Sequence, residues 1–158
     1  MTEPRRPPTA RDRFVERFAA VLADAGMPRM PARAFAALLA SDSGRMTSTE
    51  LAAALQASPA AISGAVRYLI QVDLLTRERE PGSRRDRYVI RDNAWYEASL
   101  RRDAMLRRWV EELESGVDAV GAESPAGRRL SESLEFMRFL RSELPALLER
   151  WRQQRATR

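Results

Sequence analysis

At 158 residues the chain is long enough for one compact domain with an oligomerisation extension. Its 27 basic residues exceed 22 acidic ones, giving a formal charge of +5 and a mild bias toward anionic partners. Cysteine, histidine and lysine do not occur, which excludes disulfides and thiolate nucleophiles, histidine–zinc and triad chemistry, and Schiff bases or P-loops.

Every basic residue is therefore arginine. A coding bias toward Arg and Ala explains that count as well as function does, so arginine position must carry any argument. The glycines never fall as G-x-G-x-x-G, and no pair of acids stands out from the helix-surface charges. We expect no enzyme, no cofactor and no metal. The opening "MTEPRRPPTA" has no apolar core and is not a secretory signal, and the longest apolar stretches are too short to cross a bilayer. A soluble cytoplasmic protein is expected.

Residues 1–10, rich in Pro, Arg and Thr, read as a disordered arm. From about Arg11, the residues Phe14, Phe18, Val21, Leu22 and Ala25 recur at helical spacing, and Gly26 and Pro28 end the helix. "RMPARAFAALLAS" predicts a second helix with Pro31 in its first turn and Phe35, Leu38 and Leu39 inward. "SDSGR" reads as a turn. In "TSTELAAAL", Thr47 and Glu50 have the spacing of a capping box. Ser58 is a natural N-cap with Pro59 at the first helical position. The helix that follows runs to about Val72 with an apolar stripe of Ile62, Ala65, Val66, Leu69 and Val72.

After Leu75 the period changes from helical to alternating. "LTRERE" and "RYVIR" flank "PGSRRD", in which Pro81-Gly82 suits a type II bend. A two-stranded hairpin results, and it must pack on the helices through Leu75, Tyr88 or Val89, and Ile90 to be stable. Beyond Asp92 two long helices are predicted, residues 93–119 and 125–153, each about 40 Å long at 1.5 Å per residue.

A short helix, a tight bend, a longer helix and a charged hairpin make a winged helix-turn-helix, in a mostly α chain with a small two-stranded β-wing. The outward face of the second helix, Ser58, Ala60, Ala61, Ser63 and Gly64, is built from small side chains that permit close approach to base edges. Arg67 is placed to reach guanine or a phosphate. The hairpin holds Arg77, Arg79, Arg84, Arg85, Arg87 and Arg91 against Glu78, Glu80 and Asp86, so more than half of the chain's surplus charge lies there. Arg84 and Arg85 at the tip, with Arg87 behind them, are assigned to the wing's DNA contacts. The plainer reading, a charged hairpin edge guarded against aggregation, loses ground to its position directly after a recognition-type helix.

From "GMPRMPARAFAALLASDSGRMTSTELAAALQASPAAISGAVRYLIQVDLLTREREPGSRRDRYVI" the chain resembles the DNA-binding core of MarR-type bacterial transcription regulators, over about residues 11–92. "SPAAISGAVRYL" followed by "L-x-R-E-R-x-P-G-S-R-R-D-x-Y" is the most specific part. The opening "G-x-P-R-x-x-A-R" is similar to the GbsR-like branch. The resemblance implies a homodimer on a pseudo-palindromic operator, often a repressor released by a small molecule, with residues 93–158 as a helical dimerisation region. It also implies recognition-helix roles for the six residues named on the second helix and wing roles for Arg84 and Arg85.

The long helices carry more apolar surface than an 80-residue winged helix covers, including Phe136 and Phe139 outside the main stripe, which favours a two-fold dimer. Trp95 and Tyr96 are placed to line an effector cavity between the DNA-binding and dimer regions, or to serve as hinge packing. Trp109 and Trp151 read as core or interface. The alternative function is a winged-helix protein–protein interaction module without sequence-specific DNA binding.

Overall fold

The computed structural model describes residues 7–79, 81–83, 85–91 and 94–157, with the side chains of 96–101 outside that description. Among the described residues the chain forms six helices and three strands, and it divides into two compact units, 1–95 and 96–158. The sequence alone puts that boundary between residues 92 and 93. The arm expected over residues 1–10 lies largely outside the described residues, and helix α1 (Ala10–Asp24) begins inside it. Thr9 caps α1 through a full capping box: its hydroxyl accepts from the Asp12 amide at 3.1 Å, and the Asp12 carboxylate accepts from the Thr9 amide at 2.8 Å.

Helix α2 (Arg29–Leu39) is the centre of the first unit. Its buried row includes Ala32, Ala34, Ala36 and Ala37 beside Phe35 and Leu38, so α1 can approach closely and meets it with Val15 and Ala19. The predicted stripe of α1 is only partly the buried one: Phe18 and Leu22 are half-buried beside Val15 and Ala19. Phe14 and Val21 are 40 and 61 % exposed, and Phe14 stacks on Phe18 at 5.6 Å along the outer side. Leu39, expected inward, also lies outside at 40 % exposure. In both cases the alanine-lined contact favours small residues over bulky ones.

Three residues expected in a turn region or helix cap, Arg45–Thr47, form strand β1. With β2 (Leu75–Arg79) and β3 (Asp86–Ile90) it makes an antiparallel sheet of order β1-β3-β2. Arg45, Met46 and Thr47 pair with Val89, Tyr88 and Arg87, and Leu75 through Arg79 pair with Ile90 through Asp86. The predicted two-stranded hairpin is thus present, with a third strand on the edge it left open. An isolated hairpin is marginal in water, and β1 satisfies the outer hydrogen-bonding edge of β3.

Helix α3 (Ser48–Leu55) follows β1 without a linker, because Thr47 is both the last strand residue and the N-cap. Helix α4 (Pro59–Gln71) crosses it after a tight bend. The core is formed by Phe35, Leu38, Leu51, Ile62, Leu69 and Leu75, all essentially fully buried. Each contributes about 1.5–3 kcal/mol of apolar burial, and they come from α2, α3, α4 and β2, so the core itself sets the angle between the two helices of the turn.

Helix α5 (Ala94–Val120) supplies Ala94 and Trp95 to the first unit, and its remainder pairs with α6 (Pro125–Ala156) in the second. Leu106, Val110 and Leu134 are buried there. The two helices run antiparallel, as shown by Arg138 pairing with Glu114 and Arg141 lying 3.8 Å from Asp103. Gly121, at φ 80°, makes the turn, and Gly127 lets the chain double back: a Cβ there would fall 2.0 Å from the Gly121 carbonyl oxygen.

Candidate nucleic-acid interface

Two local devices create the face that α4 presents. Its N-terminus is fixed by Ser58, whose hydroxyl accepts from the Ala61 amide at 3.2 Å, with Pro59 in the first helical position. The bend before it is made by Gln56 in a left-handed conformation (φ 49°, ψ 47°), which lets the Ala57 amide reach the Ala52 carbonyl at 3.0 Å. Between these devices and the core, Ile62, Ala65, Val66 and Leu69 are drawn inward. Ser58, Ala60, Ser63, Gly64 and Arg67 are consequently exposed and Ala61 is half-buried. Of the six residues expected on the recognition surface, Ala60, Ser63, Gly64 and Arg67 share the outward side of α4, Ser58 is its N-cap, and Ala61 lies at the edge of the buried stripe. Val72, expected in the buried stripe, is only half-buried because it is the C-cap.

The helix ends in a second left-handed residue, Asp73 (φ 58°), and the Leu74 amide closes on the Leu69 carbonyl at 2.9 Å. Leu75, 1 % exposed, then starts β2. The hairpin therefore leaves directly from the end of α4, anchored by a core residue. Its tip contains Gly82 at φ 76°, the value that the third position of a type II turn demands. Arg85 is exposed near the tip, its amide donating to the Ser83 hydroxyl at 3.1 Å. Arg87 is half-buried in β3, opposite Glu78 on one side and Thr47 on the other. Arg84 lies outside the described residues.

Strand register sorts the remaining arginines in a way that charge counting does not. Arg77 lies 3.7 Å from Asp86 and 6.0 Å from the centre of the Tyr88 ring. Arg91 lies 3.6 Å from Asp73. Both have partners within the chain. Sequence reasoning missed Arg45, which β1 brings onto the same sheet face as Arg87 and Glu78, 3.7 Å from the Glu78 carboxylate. A three-residue strand carries too little alternation to be seen in the sequence.

The wing base and the start of α3 are electrostatically joined at Glu50. Its carboxylate accepts from the Thr47 amide at 2.7 Å. Hydrogen bonds from Thr47, and then the positive charges of Arg87 and Arg85, hold its pKa below the ordinary carboxylate value.

Trp95, offered by the sequence as an effector-pocket residue, is 54 % exposed and meets Phe35 edge-on at 5.5 Å. The side chain of Tyr96 lies outside the described residues. A cavity of about 220 Å³ in the first unit is lined by Val15, Ala37, Met46 and Leu55 among others, and not by Trp95.

Comparison with known proteins covers both units. Residues 25–86 match the model of the MarR family, and residues 93–154 match that of the MmpR5-like MarR family transcriptional regulators. The chain is 30 % identical over 141 residues to the HTH-type transcriptional regulator MmpR5 of Mycobacterium tuberculosis (strain ATCC 25618 / H37Rv), spanning 89 % of this chain and 86 % of that protein. It is also similar to a crystal structure described as a transcriptional regulator, with a TM-score of 0.79 and 29 % identity over 92 % of this chain and 99 % of the other.

Proposed function

The chain belongs to the MarR family of transcriptional regulators, and from that premise we propose that it is a homodimeric repressor of a pseudo-palindromic operator, released by a small-molecule effector in the cytoplasm. In this reading residues 11–92 bind DNA behind an N-terminal arm of residues 1–10, and residues 93–158 hold the dimer together. Ser58, Ala60, Ala61, Ser63, Gly64 and Arg67 read bases in the major groove. Arg84, Arg85 and Arg87 serve the wing.

The observation that carries the reading is the bare outward face of α4, whose small exposed residues lead to Arg67 and leave room for a duplex against the helix. An apolar anchor for a protein partner would need bulk at those positions, so the interaction-module reading gains no support. The exposed aromatic side chains of α6 favour a second copy of the chain. For the effector, the reading points to the start of α5, where about half of the Trp95 surface is open beside Phe35. Within the family, the stretch Gly26-x-Pro28-Arg29-x-x-Ala32-Arg33 supports kinship with the GbsR-like branch.

The test uses sites selected from genomic fragments by the wild-type protein. The Arg84→Ala, Arg85→Ala double variant is expected to bind all duplexes more weakly. It should also lower the slope of log K against log salt by about two, one for each phosphate that no longer meets an arginine. Arg67→Ala is expected to change site preference instead. An unaltered affinity and slope in the double variant would remove the wing from the mechanism.

A further inference from the structure

Directly opposed residues of an antiparallel sheet share a face. Arg45, Glu78 and Arg87 therefore stand together on the side away from the buried Leu75 and Tyr88. Glu78 is the cross-strand neighbour of Arg87. Arg45 comes to it from further off. Strand β3 lies between β1 and β2, so the Arg45 side chain spans the middle strand, roughly 10 Å between backbones. Its guanidinium ends 3.7 Å from the Glu78 carboxylate. Beside Thr47, the other neighbour of Arg87, stands Glu50, whose pKa is lowered first by hydrogen bonds from Thr47 and then by Arg87 and Arg85. Two arginines on this face are thus met by two carboxylates, while Arg85 is exposed near the tip.

Stability gives Glu78 little reason to be there. Both side chains of its pair with Arg45 are about half exposed, and such a pair contributes about 0–1 kcal/mol. Its larger effect is on the charge that a duplex meets. At a Debye length, about 8 Å in physiological salt, the pair presents almost no net charge, and an acid beside phosphates subtracts from their attraction.

Resting on the reading of the wing tip as the part of the hairpin that meets DNA, we infer that Glu78 is a specificity-determining residue, which neutralises Arg45 so that the wing attracts a duplex through its tip and not through its side. In the specific complex α4 fixes the orientation of the protein. Nonspecific binding is set by charge alone, and a positive outer face adds side-on arrangements that compete with the specific one. Specificity is the difference between the two affinities, and Glu78 weakens the nonspecific one.

The experiment compares wild type, Glu78→Gln, and Glu78→Gln with Arg45→Gln, on duplexes selected by the wild type and on bulk duplex, each across a salt series. All three are expected to melt within roughly 2 °C of one another. Glu78→Gln is expected to bind bulk duplex about fivefold more tightly at physiological salt, with a slope of log K against log salt steeper by about one. Its affinity for selected sites is expected to stay within about twofold of wild type. Adding Arg45→Gln is expected to return bulk affinity and slope to the wild-type values. An unchanged bulk affinity in Glu78→Gln overturns the inference, as does an equal rise on selected and bulk duplexes, or a gain that survives Arg45→Gln. Failure of the underlying wing reading shows separately, as a salt slope that the Arg84→Ala, Arg85→Ala variant shares with wild type.

Discussion

Asp73 holds a left-handed backbone, φ 58°, that glycine would occupy at least cost. What its side chain adds is the link to Arg91 at 3.6 Å, which joins the end of α4 to the end of β3. Asp73→Gly is therefore expected to change stability by less than about 1 kcal/mol, because backbone relief offsets the missing ion pair. Amide exchange in β2 and β3 should nevertheless rise, and operator affinity should fall. Unchanged exchange in the hairpin would show that the pair does not steady the wing. Glu50 gives a prediction in pH. Its folded-state pKa is lowered, so its contribution is full above the unfolded carboxylate value and is lost as pH falls through the folded one. Glu50→Gln should destabilise the protein at neutral pH, and the gap from wild type should close on acidification, as followed by denaturant midpoints from pH 7 to pH 3. The Thr47–Glu50 and Ser58 caps were legible in the sequence because they join residues three apart. Gln56 and Asp73 were not, since neither turn carries the glycine that marks a left-handed residue.

Elements were legible where their period was long. The stripe of α4 appears in the sequence much as it does in the fold, because Ile62, Ala65, Val66 and Leu69 bury one regular face. Strands β2 and β3 fall close to where the alternation put them, although Leu75 and Tyr88 are their buried residues. The stripe of α1 misled in part, because two of its members, Phe14 and Val21, turn away from an alanine-lined partner while Phe18 and Leu22 stay half-buried. Strand β1 stayed hidden because its reason for existing, the open edge of β3, lies about forty residues away in the chain. The α5–α6 turn supplies the prediction at this scale. Gly127 donates its amide to the Ser124 hydroxyl at 2.9 Å and leaves no room for a Cβ beside Gly121. Gly127→Ala should cost about 1–3 kcal/mol through overpacking, and Ser124→Ala about 1 kcal/mol through removal of the cap. Urea unfolding of the full chain measures both, and a larger effect for Ser124→Ala than for Gly127→Ala would contradict the geometry.

For the molecule as a whole, the sequence placed a surplus of apolar surface on the long helices, with Phe136 and Phe139 outside the main stripe. Along α6 (Pro125–Ala156) the apolar side chains differ in burial. Leu134 is buried and Met137, Leu140, Leu144 and Leu148 are half-buried, whereas Phe136, Phe139, Leu147 and Trp151 are each more than half exposed. Successive positions on a helix are turned by about 100°, which places these four within an arc of about 120° facing away from Leu134, with half-buried Leu140 inside the same arc. Full burial of each such side chain is worth about 1.5–3 kcal/mol, so covering this face is a sufficient drive for the proposed dimer. Phe136→Glu with Phe139→Glu removes that drive while leaving Leu106, Val110 and Leu134 in place. The double variant should keep its helical content and cooperative unfolding, run as a monomer by light scattering, and lose roughly a hundredfold in affinity for a two-half-site operator, because the second half-site is no longer held at high local concentration. Its affinity for a single half-site should stay within about twofold of wild type, since α4 and the wing belong to the other compact unit. A variant that remains dimeric would mean the second copy is gripped elsewhere, and the exposed pair Phe14 and Val21 on α1 would be the next face to change.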